Sequence, residues 1–295
     1  MFQANGHLSV NGSSRNGHNG HAEAQTHVRK PKEKKTNRVN NGFATNQLIH
    51  SAYHESNDRV FPHILELYVH RYANVADVTY GKGVFWKRVD RTSYNLFFSD
   101  LKKKGLPKDV KGGIDSRKLP YGDSSLDALV FDPPYMHTPG GTAHNGHQNY
   151  EKYYANNADI SLEIIKQILE ETEGNPPKYH EAVLDLYFRS GKEAYRVLKD
   201  DGIYIVKCQD EVCANRQRLT HIEITNQLAK YGFIVEDLFV VIRKNKPGVS
   251  RLLKRQYHAR KNHSYFMVYR KPAPKRTRVK RALNPSTHRK TRRTV

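Results

Sequence analysis

Residues 126–135 read Leu-Asp-Ala-Leu-Val-Phe-Asp-Pro-Pro-Tyr. The first six are apolar except for one aspartate, and a short apolar run bounded by a turn signal predicts a buried β-strand. Because proline fixes its φ angle and has no N–H to donate, the strand has to end at the two prolines. The stretch therefore predicts a buried strand that delivers Asp132, Pro133, Pro134 and Tyr135 to its carboxyl end.

The four residues after this strand suit one kind of chemistry. An amino group on an aromatic base is a poor nucleophile, because its lone pair is delocalised into the ring. Asp132 can accept one of its N–H protons and the Pro133 carbonyl the other, and the two prolines hold these acceptors rigidly. Tyr135 can stack on an unstacked base, a contact worth about 1–3 kcal/mol. The alternative is an ordinary Pro-Pro turn after a strand.

Short apolar runs alternate with helical patterns on both sides of this stretch, which predicts an α/β fold with a doubly wound, mostly parallel sheet. The last two strands are joined by a segment too short for a crossover helix, so they should form an antiparallel pair at the sheet edge. A first helix should begin at Asn57-Asp58, with Pro62 in its first turn. The predicted strands cover 75–79, 95–100, 126–131, 202–207, 233–242 and 264–270, and the later helices cover 160–171, 181–198 and 220–231.

A Gly-x-Gly turn follows the first of these strands, in Ala76-Asp77-Val78-Thr79-Tyr80-Gly81-Lys82-Gly83. Glycines after a strand allow the backbone to approach a nucleotide closely. The alternative is a tight turn with no ligand.

Two further carboxylates occupy positions where a nucleotide could be bound. Asp100 ends the next predicted strand, where a carboxylate can accept bonds from both hydroxyls of a ribose; alternatively, it caps a helix. Asp115 lies where a third strand should end and could bind the amino group of an adenine. The alternative for Asp115 is a simple turn residue.

In order and spacing, these elements resemble the S-adenosylmethionine-dependent amino-methyltransferases of the Rossmann-like class, especially the DNA adenine-N6 and cytosine-N4 methyltransferases. The resemblance runs from about Val60 to Arg270. It implies that the tetrapeptide Asp132 to Tyr135 is catalytic and that the turn from Asp77 to Gly83 binds the methionine part of the cofactor. Phe61-Pro62 resembles the Phe-Pro pair that lines the cofactor site in this family.

The resemblance implies transfer of a methyl group from S-adenosyl-L-methionine to a base amino group in DNA, adenine N6 or alternatively cytosine N4, with no metal ion. The expected fold is a single Rossmann-like class I methyltransferase domain. The expected cofactor-binding residues are Phe61, Pro62, Asp77, Tyr80, Gly81, Gly83, Asp100 and Asp115.

The chain also departs from the family pattern. Val78-Thr79-Tyr80 stands where the family often has Pro-Phe, and Val84 replaces a small or hydroxyl residue. No large separate target-recognition domain is visible in the sequence. Sequence-specific DNA recognition is therefore the part of the resemblance with the least support.

The charge of the chain favours a polyanionic partner. The net charge is +21, of which residues 271–295 carry +10 and residues 1–40 carry +5, leaving +6 for the middle. Each Lys or Arg that meets a phosphate releases a counterion, so such a chain suits nucleic acid, and the resemblance implies DNA in preference to RNA. The alternative is a solvated surface that the charge keeps soluble. We expect a disordered basic arm over 1–43, the methyltransferase domain over 44–270 with a lid or recognition insertion at 136–180, and a disordered basic tail over 271–295.

Three other groups of residues could be functional. The segment 243–263 interleaves basic residues with Tyr257 and His258, which is typical of a nucleic-acid strip or of a solvated hairpin. Asn175 to Tyr179 imitates the tetrapeptide but follows no apolar strand, so we interpret it as a turn. Three histidines of the insertion could bind a metal, although a mobile polar lid is favoured; they are His137, His144 and His147.

Two alternative functions stay open at this point. One is an RNA methyltransferase that acts on guanine N2 or adenine N6, although such guanine enzymes normally carry an upstream RNA-binding domain. The other is a non-catalytic nucleic-acid-binding protein that retained the fold. Two cysteines, no long apolar segment and no apolar signal core predict a cytoplasmic protein without a membrane anchor.

Overall fold

The computed structural model describes residues 48–135, 162–175, 177–244 and 255–274. The predicted N-terminal arm, residues 136–161 of the predicted insertion and the chain beyond residue 274 lie outside the described residues. The helices within these ranges are α1 (Asn57–Tyr68), α2 (Leu162–Glu171), α3 (His180–Val197) and α4 (Thr220–Lys230). The strands are β1 (Ala52–Tyr53), β2 (Asn74–Asp77), β3 (Asn95–Asp100), β4 (Val110–Gly112), β5 (Leu126–Phe131), β6 (Leu198–Cys208), β7 (Glu211–Cys213), β8 (Arg216–Arg218), β9 (Ile234–Ile242) and β10 (His263–Arg270).

Eight strands form one sheet in the order β1-β9-β10-β6-β5-β2-β3-β4. Strand β10 is antiparallel to both of its neighbours, whereas the other neighbouring pairs are parallel. The predicted doubly wound, mostly parallel α/β sheet is confirmed. β7 and β8 form a separate hairpin between β6 and α4, which the sequence did not predict.

The central strands are buried on both faces, which explains their nearly continuous apolar sequences. Val130 of β5 and Ile205 of β6 pack on the side of α1, together with Phe61. Leu129 and Phe131 pack on the opposite side, where α3 and α4 cover the sheet. The alternation places successive residues of β5 on opposite faces, and this decides which way the next residue, Asp132, points.

Two details differ from the sequence prediction. The pair formed by β9 and β10 is antiparallel as predicted, but β10 lies inside the sheet between β6 and β9, and β1 covers the outer side of β9. Seven of the eight residues of β10 are buried, as an interior position requires. Pro62 lies in the second turn of α1 and not in its first, at a place where its missing N–H removes one bond of the helix.

Candidate active site

The predicted functional residues gather where β2, β3 and β5 end. β3 flanks β2 on one side and β5 flanks it on the other, so the chain order reverses at β2. In open α/β sheets, ligands bind beyond the carboxyl ends of the strands at such a reversal. The fold therefore places the tetrapeptide and the Gly-x-Gly turn beside the same crevice.

Asp132 connects these two motifs directly. Its backbone N–H donates a hydrogen bond of 2.6 Å to the Thr79 hydroxyl, which lies in the turn after β2. Its Oδ1 atom is buried and has no hydrogen-bond partner within the described part of the chain. Burial holds the pKa of the Asp132 carboxyl above its usual range, although the charge of Lys207 opposes this effect.

The rest of the tetrapeptide forms one wall beside Asp132. Pro133 is buried, whereas Pro134 and Tyr135 are half-buried. Tyr135 packs against the core on the α3 side of the sheet and keeps part of its ring exposed. That position agrees with a ring that is anchored by packing and still offers surface to a ligand.

The two glycines of the turn have different reasons to be glycine. Both have positive φ angles, +56° at Gly81 and +63° at Gly83, a backbone region that favours glycine. A Cβ atom at Gly83 would lie 2.4 Å from the Tyr80 hydroxyl, so Gly83 makes room for that ring. A Cβ atom at Gly81 would have its nearest neighbour at 3.8 Å, the Thr79 carbonyl oxygen. Of the two glycines in the turn, Gly81 is thus the one where a Cβ atom would meet only an ordinary van der Waals contact.

Tyr80 supports the turn from below. It is buried, its ring centroid lies 4.6 Å from that of Phe98, and its hydroxyl accepts a 3.0 Å hydrogen bond from Arg91. Tyr80 therefore fixes the backbone on which Gly81 and Gly83 lie. Its predicted contribution to cofactor binding would be made through that backbone and not through direct contact.

Asp77 also shapes the turn. One carboxylate oxygen accepts the Thr79 N–H at 3.0 Å and the other accepts the indole N–H of Trp86 at 2.7 Å. The side chain is buried, and burial raises the pKa of Asp77 to about 6 in spite of these bonds. Asp77 thereby ties the end of β2 to the 3-10 turn Phe85–Arg88.

Asp100 joins the turn to the neighbouring strand. Its carboxylate accepts the Gly81 N–H and the Lys102 N–H, both at 2.8 Å. The chain passes from β3 through a loop to β4 with no helix between them, so the helix-cap alternative does not apply. The side chain is buried beside Gly81, a position from which a carboxylate could accept from the ribose of a bound nucleotide.

Asp115 is engaged by a neighbour in its own turn. Its two oxygens accept a bidentate pair of bonds from the Arg117 guanidinium, at 2.9 and 2.8 Å, and one of them also accepts the Arg117 N–H. Both side chains are buried. This geometry is that of the turn alternative, and an adenine amino group would have to share the carboxylate with Arg117.

Phe61 and Pro62 occupy different environments. Phe61 is fully buried, and its ring packs at 5.0 Å from Phe85 and 5.1 Å from Trp86. Pro62 is half-buried. In this structure Phe61 fixes α1 against the sheet under the crevice, and Pro62 is the member of the pair that has surface to offer a ligand.

Sequence reasoning missed several residues that build the site. Thr79 holds Asp132, Trp86 holds Asp77, and Arg117 holds Asp115. Lys207 was missed as well, although it is a charged residue at the end of an apolar strand, as Asp132 is on the neighbouring strand. That pattern was the available signal.

The remaining candidates are resolved only in part. Helix α2 ends at Glu171 and α3 begins at His180, directly after Tyr179, so no strand leads into the second Pro-Pro sequence. In the predicted basic strip, Arg243 donates to Gln209 at 2.7 Å, and Tyr257 is largely exposed. The three histidines lie outside the described residues, and the ranges that are described contain no cluster of His, Cys, Asp or Glu able to hold a metal ion.

Several solved structures resemble the chain. A Thermus thermophilus protein, described as a DNA modification methylase and solved with S-adenosyl-L-methionine, matches at 19% identity over 57% of each chain, with a TM-score of 0.33. The chain thus spans just over half the length of that protein. PvuII DNA methyltransferase, which is cytosine-N4-specific, matches at 14% identity over 53% of this chain and 47% of its own, with a TM-score of 0.34. A Burkholderia thailandensis 1,6-didemethyltoxoflavin-N1-methyltransferase matches at 14% identity over 74% and 80%, with a TM-score of 0.42.

No curated protein matches the chain. Within the described ranges, every helix is too short or too polar to span a bilayer.

A family match decides the classification. The profile of the DNA methylase family matches residues 126–295, from the first residue of β5 through the tetrapeptide and on to the end of the sequence given. S-Adenosyl-L-methionine is the cofactor of this family. The chain belongs to the DNA methylase family, which unites the adenine-N6 and cytosine-N4 methyltransferases.

Proposed function

We propose that the chain is a methyltransferase that uses S-adenosyl-L-methionine to methylate an exocyclic amino group of a DNA base, adenine N6 or else cytosine N4. The observation that carries this proposal is the Oδ1 atom of Asp132, buried at the end of β5 with no partner among the described residues. A buried acceptor without a donor costs about 1–3 kcal/mol. The site is therefore suited to a donor that arrives with the substrate, and a base amino group is such a donor.

The chain's own groups can prepare that amine for reaction. The Asp132 carboxylate accepts one N–H and the Pro133 carbonyl accepts the other, so the lone pair of the nitrogen is localised and directed away from both acceptors. The nitrogen would form a bond to the methyl carbon as the bond from that carbon to the cofactor's sulfur breaks, and the proton that the nitrogen loses would pass to water. The exposed part of the Tyr135 ring stacks on the base, and a base from duplex DNA has to be flipped out of the helix first.

The carboxyl ends of β2 and β3 fit the cofactor. Gly81 has no side chain to keep a nucleotide away from its backbone, and Asp100 lies next to it with a carboxylate that can accept from ribose hydroxyls. Asp77, Tyr80 and Gly83 hold the shape of this turn. When bound, S-adenosyl-L-methionine supplies an electrophilic methyl group.

The loop between β3 and β4 supports a nucleic-acid partner. Its lysines are exposed, and none of them makes an ion pair within the described residues. Exposed cations of this kind attract phosphates without reading the base sequence. They are Lys102, Lys103, Lys104 and Lys108, with Lys111 following in β4.

The test is to identify the methylated product. The chain is incubated with labelled S-adenosyl-L-methionine and unmethylated duplex DNA, single-stranded DNA or RNA, and the nucleosides are separated by mass spectrometry. We expect N6-methyladenine from DNA, or N4-methylcytosine if the alternative target is correct, and neither from Asp132→Ala. Methylated guanine from RNA alone would replace the DNA proposal, and no methylated nucleoside from any substrate would overturn it.

A further inference from the structure

Lys207 is the strand neighbour of the proposed catalytic carboxylate. In the parallel pair of β5 and β6, Phe131 is in register with Val206. Asp132 directly follows Phe131, and Lys207 directly follows Val206. In-register residues of neighbouring strands point to the same face and lie about 5 Å apart. Lys207 therefore faces the same side of the sheet end as Asp132.

Lys207 is buried without the hydrogen bonds that usually offset the desolvation of a buried charge. Its side chain has no exposed surface, and its Nζ atom has no hydrogen-bond partner within the described part of the chain. The ammonium lies 3.9 Å from the centroid of the Phe266 ring, a cation–π contact that offsets only part of the desolvation cost. A charge placed at such cost needs a nearby opposite charge.

Lys271 shows how the same chain buries a lysine for structural reasons. Its Nζ atom donates to the Tyr195 carbonyl at 2.8 Å and to the Leu198 carbonyl at 2.6 Å, beside the opposite end of β6. Lys207 makes no such bonds. The contrast indicates that Lys207 is placed for its charge and not for backbone contacts.

The charged groups around Asp132 and Lys207 show which cation can stabilise the Asp132 carboxylate. Asp132 is faced by Lys207 of β6, by Asp77 of β2 and by Arg243 after β9. Lys207 is faced by Asp132, by the Cys208 thiol and by Arg243. Burial raises the pKa of Asp132 and lowers the pKa of Lys207, and the charge of each partner opposes the shift of the other. Of the two cations that face Asp132, Arg243 donates to Gln209, whereas the Nζ atom of Lys207 has no hydrogen-bond partner in the described part of the chain.

We propose that Lys207 is a positioning residue that keeps Asp132 ionised inside the buried site. The inference rests on the proposed function, because an ionised carboxylate accepts an N–H of the target amine. A protonated carboxyl would instead donate to the nitrogen lone pair and block the attack. Lys207 thereby sets the lower pH limit at which the site works.

The test measures the ionisation of Asp132 directly, without turnover. The full chain carrying carbon-13-labelled aspartate is titrated by NMR, and the Asp132 signal is identified by its loss in Asp132→Asn. In Lys207→Met, which removes the charge and keeps much of the length, we expect the Asp132 pKa to rise by about 1 unit or more. The matched control is Lys271→Met, which removes a buried lysine outside the site and should leave that pKa unchanged.

The pH dependence of turnover provides the second readout. The acidic limb of the kcat profile should move to higher pH in Lys207→Met and return towards the original position in Lys207→Arg, which restores the charge. If Lys207→Met does not fold, Asp132→Asn supplies the reciprocal measurement, in which the Lys207 pKa should fall by a similar amount. An unchanged Asp132 pKa in Lys207→Met, or an unchanged Lys207 pKa in Asp132→Asn, overturns the proposal. A chain that methylates nothing but shows both shifts would refute the proposed function and leave the pairing in place.

Discussion

Asp132 is held through its backbone and not through its side chain. The N–H bond to Thr79 fixes its position, while its buried Oδ1 has no partner among the described residues. Replacing Asp132 by alanine should therefore leave the free protein intact and remove the acceptor that the target amine needs. This separation of folding from chemistry makes the residue a sharp test of the assignment.

We expect Asp132→Ala to lower kcat by about 100-fold or more, the size of effect seen when one preorganised hydrogen bond to a transition state is removed. The dissociation constant for S-adenosyl-L-methionine should stay within a factor of about two, since the residue lies on the side of the target base. The melting temperature should not fall. Turnover, calorimetric titration and thermal unfolding measure the three quantities.

Asp127→Ala is the matched control in the same strand. Asp127 accepts the Asn74 N–H at 2.9 Å and a bond from Lys199 at 2.8 Å, far from the tetrapeptide end of β5. This substitution should cost stability and leave kcat unchanged. An Asp132→Ala protein that kept most of its turnover would contradict the assignment.

Gly81 and Asp100 give a second residue-scale prediction. A valine at Gly81 would put a branched side chain between the backbone and an approaching cofactor, and it would strain a backbone with φ of +56°. Alanine at Asp100 would remove the acceptor of the Gly81 N–H and of the ribose hydroxyls. Each substitution should weaken S-adenosyl-L-methionine binding by about tenfold or more, because leaving one buried polar group unsatisfied costs about 1–3 kcal/mol.

Calorimetric titration of both variants decides where the cofactor binds. Unchanged dissociation constants in both would place the cofactor elsewhere. Gly83→Ala serves as the comparison, because its added Cβ would collide with the Tyr80 ring and should lower stability as well as binding.

At the residue scale, the sequence could locate a residue in the fold wherever its position along a strand is clear, while its role stays a prediction. Asp132 and Asp100 follow or end buried strands, and Gly81 lies in the turn after another, so the topology brings them together. The role of Asp115 was harder to predict, because its partner Arg117 lies in the same turn. An Asp and an Arg two residues apart do not by themselves indicate a buried ion pair. Lys207 was missed because lysine at a strand end is normally exposed.

At the scale of elements, burial on both faces made the central strands predictable. β3 and β5 have the bounds that the sequence predicted, since each contains an apolar run that is followed by an aspartate and a clear stop. β1, β7 and β8 have two or three residues each, too few for a periodic pattern to show. The interior position of β10 depends on pairing across the sheet, which no local pattern records.

The start of helix α3 carries a buried ionic clamp. The His180 ring lies between two carboxylates, with Nδ1 at 2.5 Å from Glu211 of β7 and Nε2 at 2.5 Å from Glu223 of α4. Burial alone would lower the pKa of His180, but the bonds to both glutamates outweigh it and raise that pKa. The clamp ties the β7–β8 hairpin to two helices when the histidine is charged.

The clamp predicts a definite dependence of stability on pH. Because the folded pKa lies above the unfolded value of about 6.5, the stabilisation is complete below that pH and is lost as the pH rises through the folded pKa. His180→Gln should remove this pH-dependent part and cost about 3 kcal/mol near pH 6, as when one partner of a buried ion pair is removed. Urea unfolding can be followed by the fluorescence of Trp86, the one tryptophan of the chain.

His70→Gln is the control for that experiment. His70 is half-exposed and lies 3.8 Å from Asp127, so it should contribute little. If the free energy of unfolding changes with pH at the same slope in His180→Gln and in the wild-type protein, the clamp does not contribute to the pH dependence of stability.

At the scale of the whole molecule, most of the net positive charge lies outside the stretch of chain that forms the sheet. Residues 1–40 and 271–295 together carry +15 of the net +21, whereas the sheet is built between Ala52 and Arg270. The predicted domain boundary at 270 was placed at the end of the apolar pattern. Lys271, one residue beyond it, is buried and donates to the carbonyls of Tyr195 and Leu198, which an apolar pattern does not indicate.

The last prediction concerns the basic tail, which we propose contacts phosphates. A chain ending at Pro274 keeps Lys271 and its bonds, so it should fold and bind S-adenosyl-L-methionine as before. For each tail cation that pairs with a phosphate, the truncation should reduce the slope of log affinity against log salt by about 0.9 for duplex DNA and about 0.7 for single strands. Turnover at saturating DNA should be retained, because no tail residue belongs to the proposed site. Equal salt slopes for the full and shortened chains would show that the tail makes no phosphate contacts, and the cations that meet DNA would then have to be the lysines between β3 and β4 or the basic residues of 243–263.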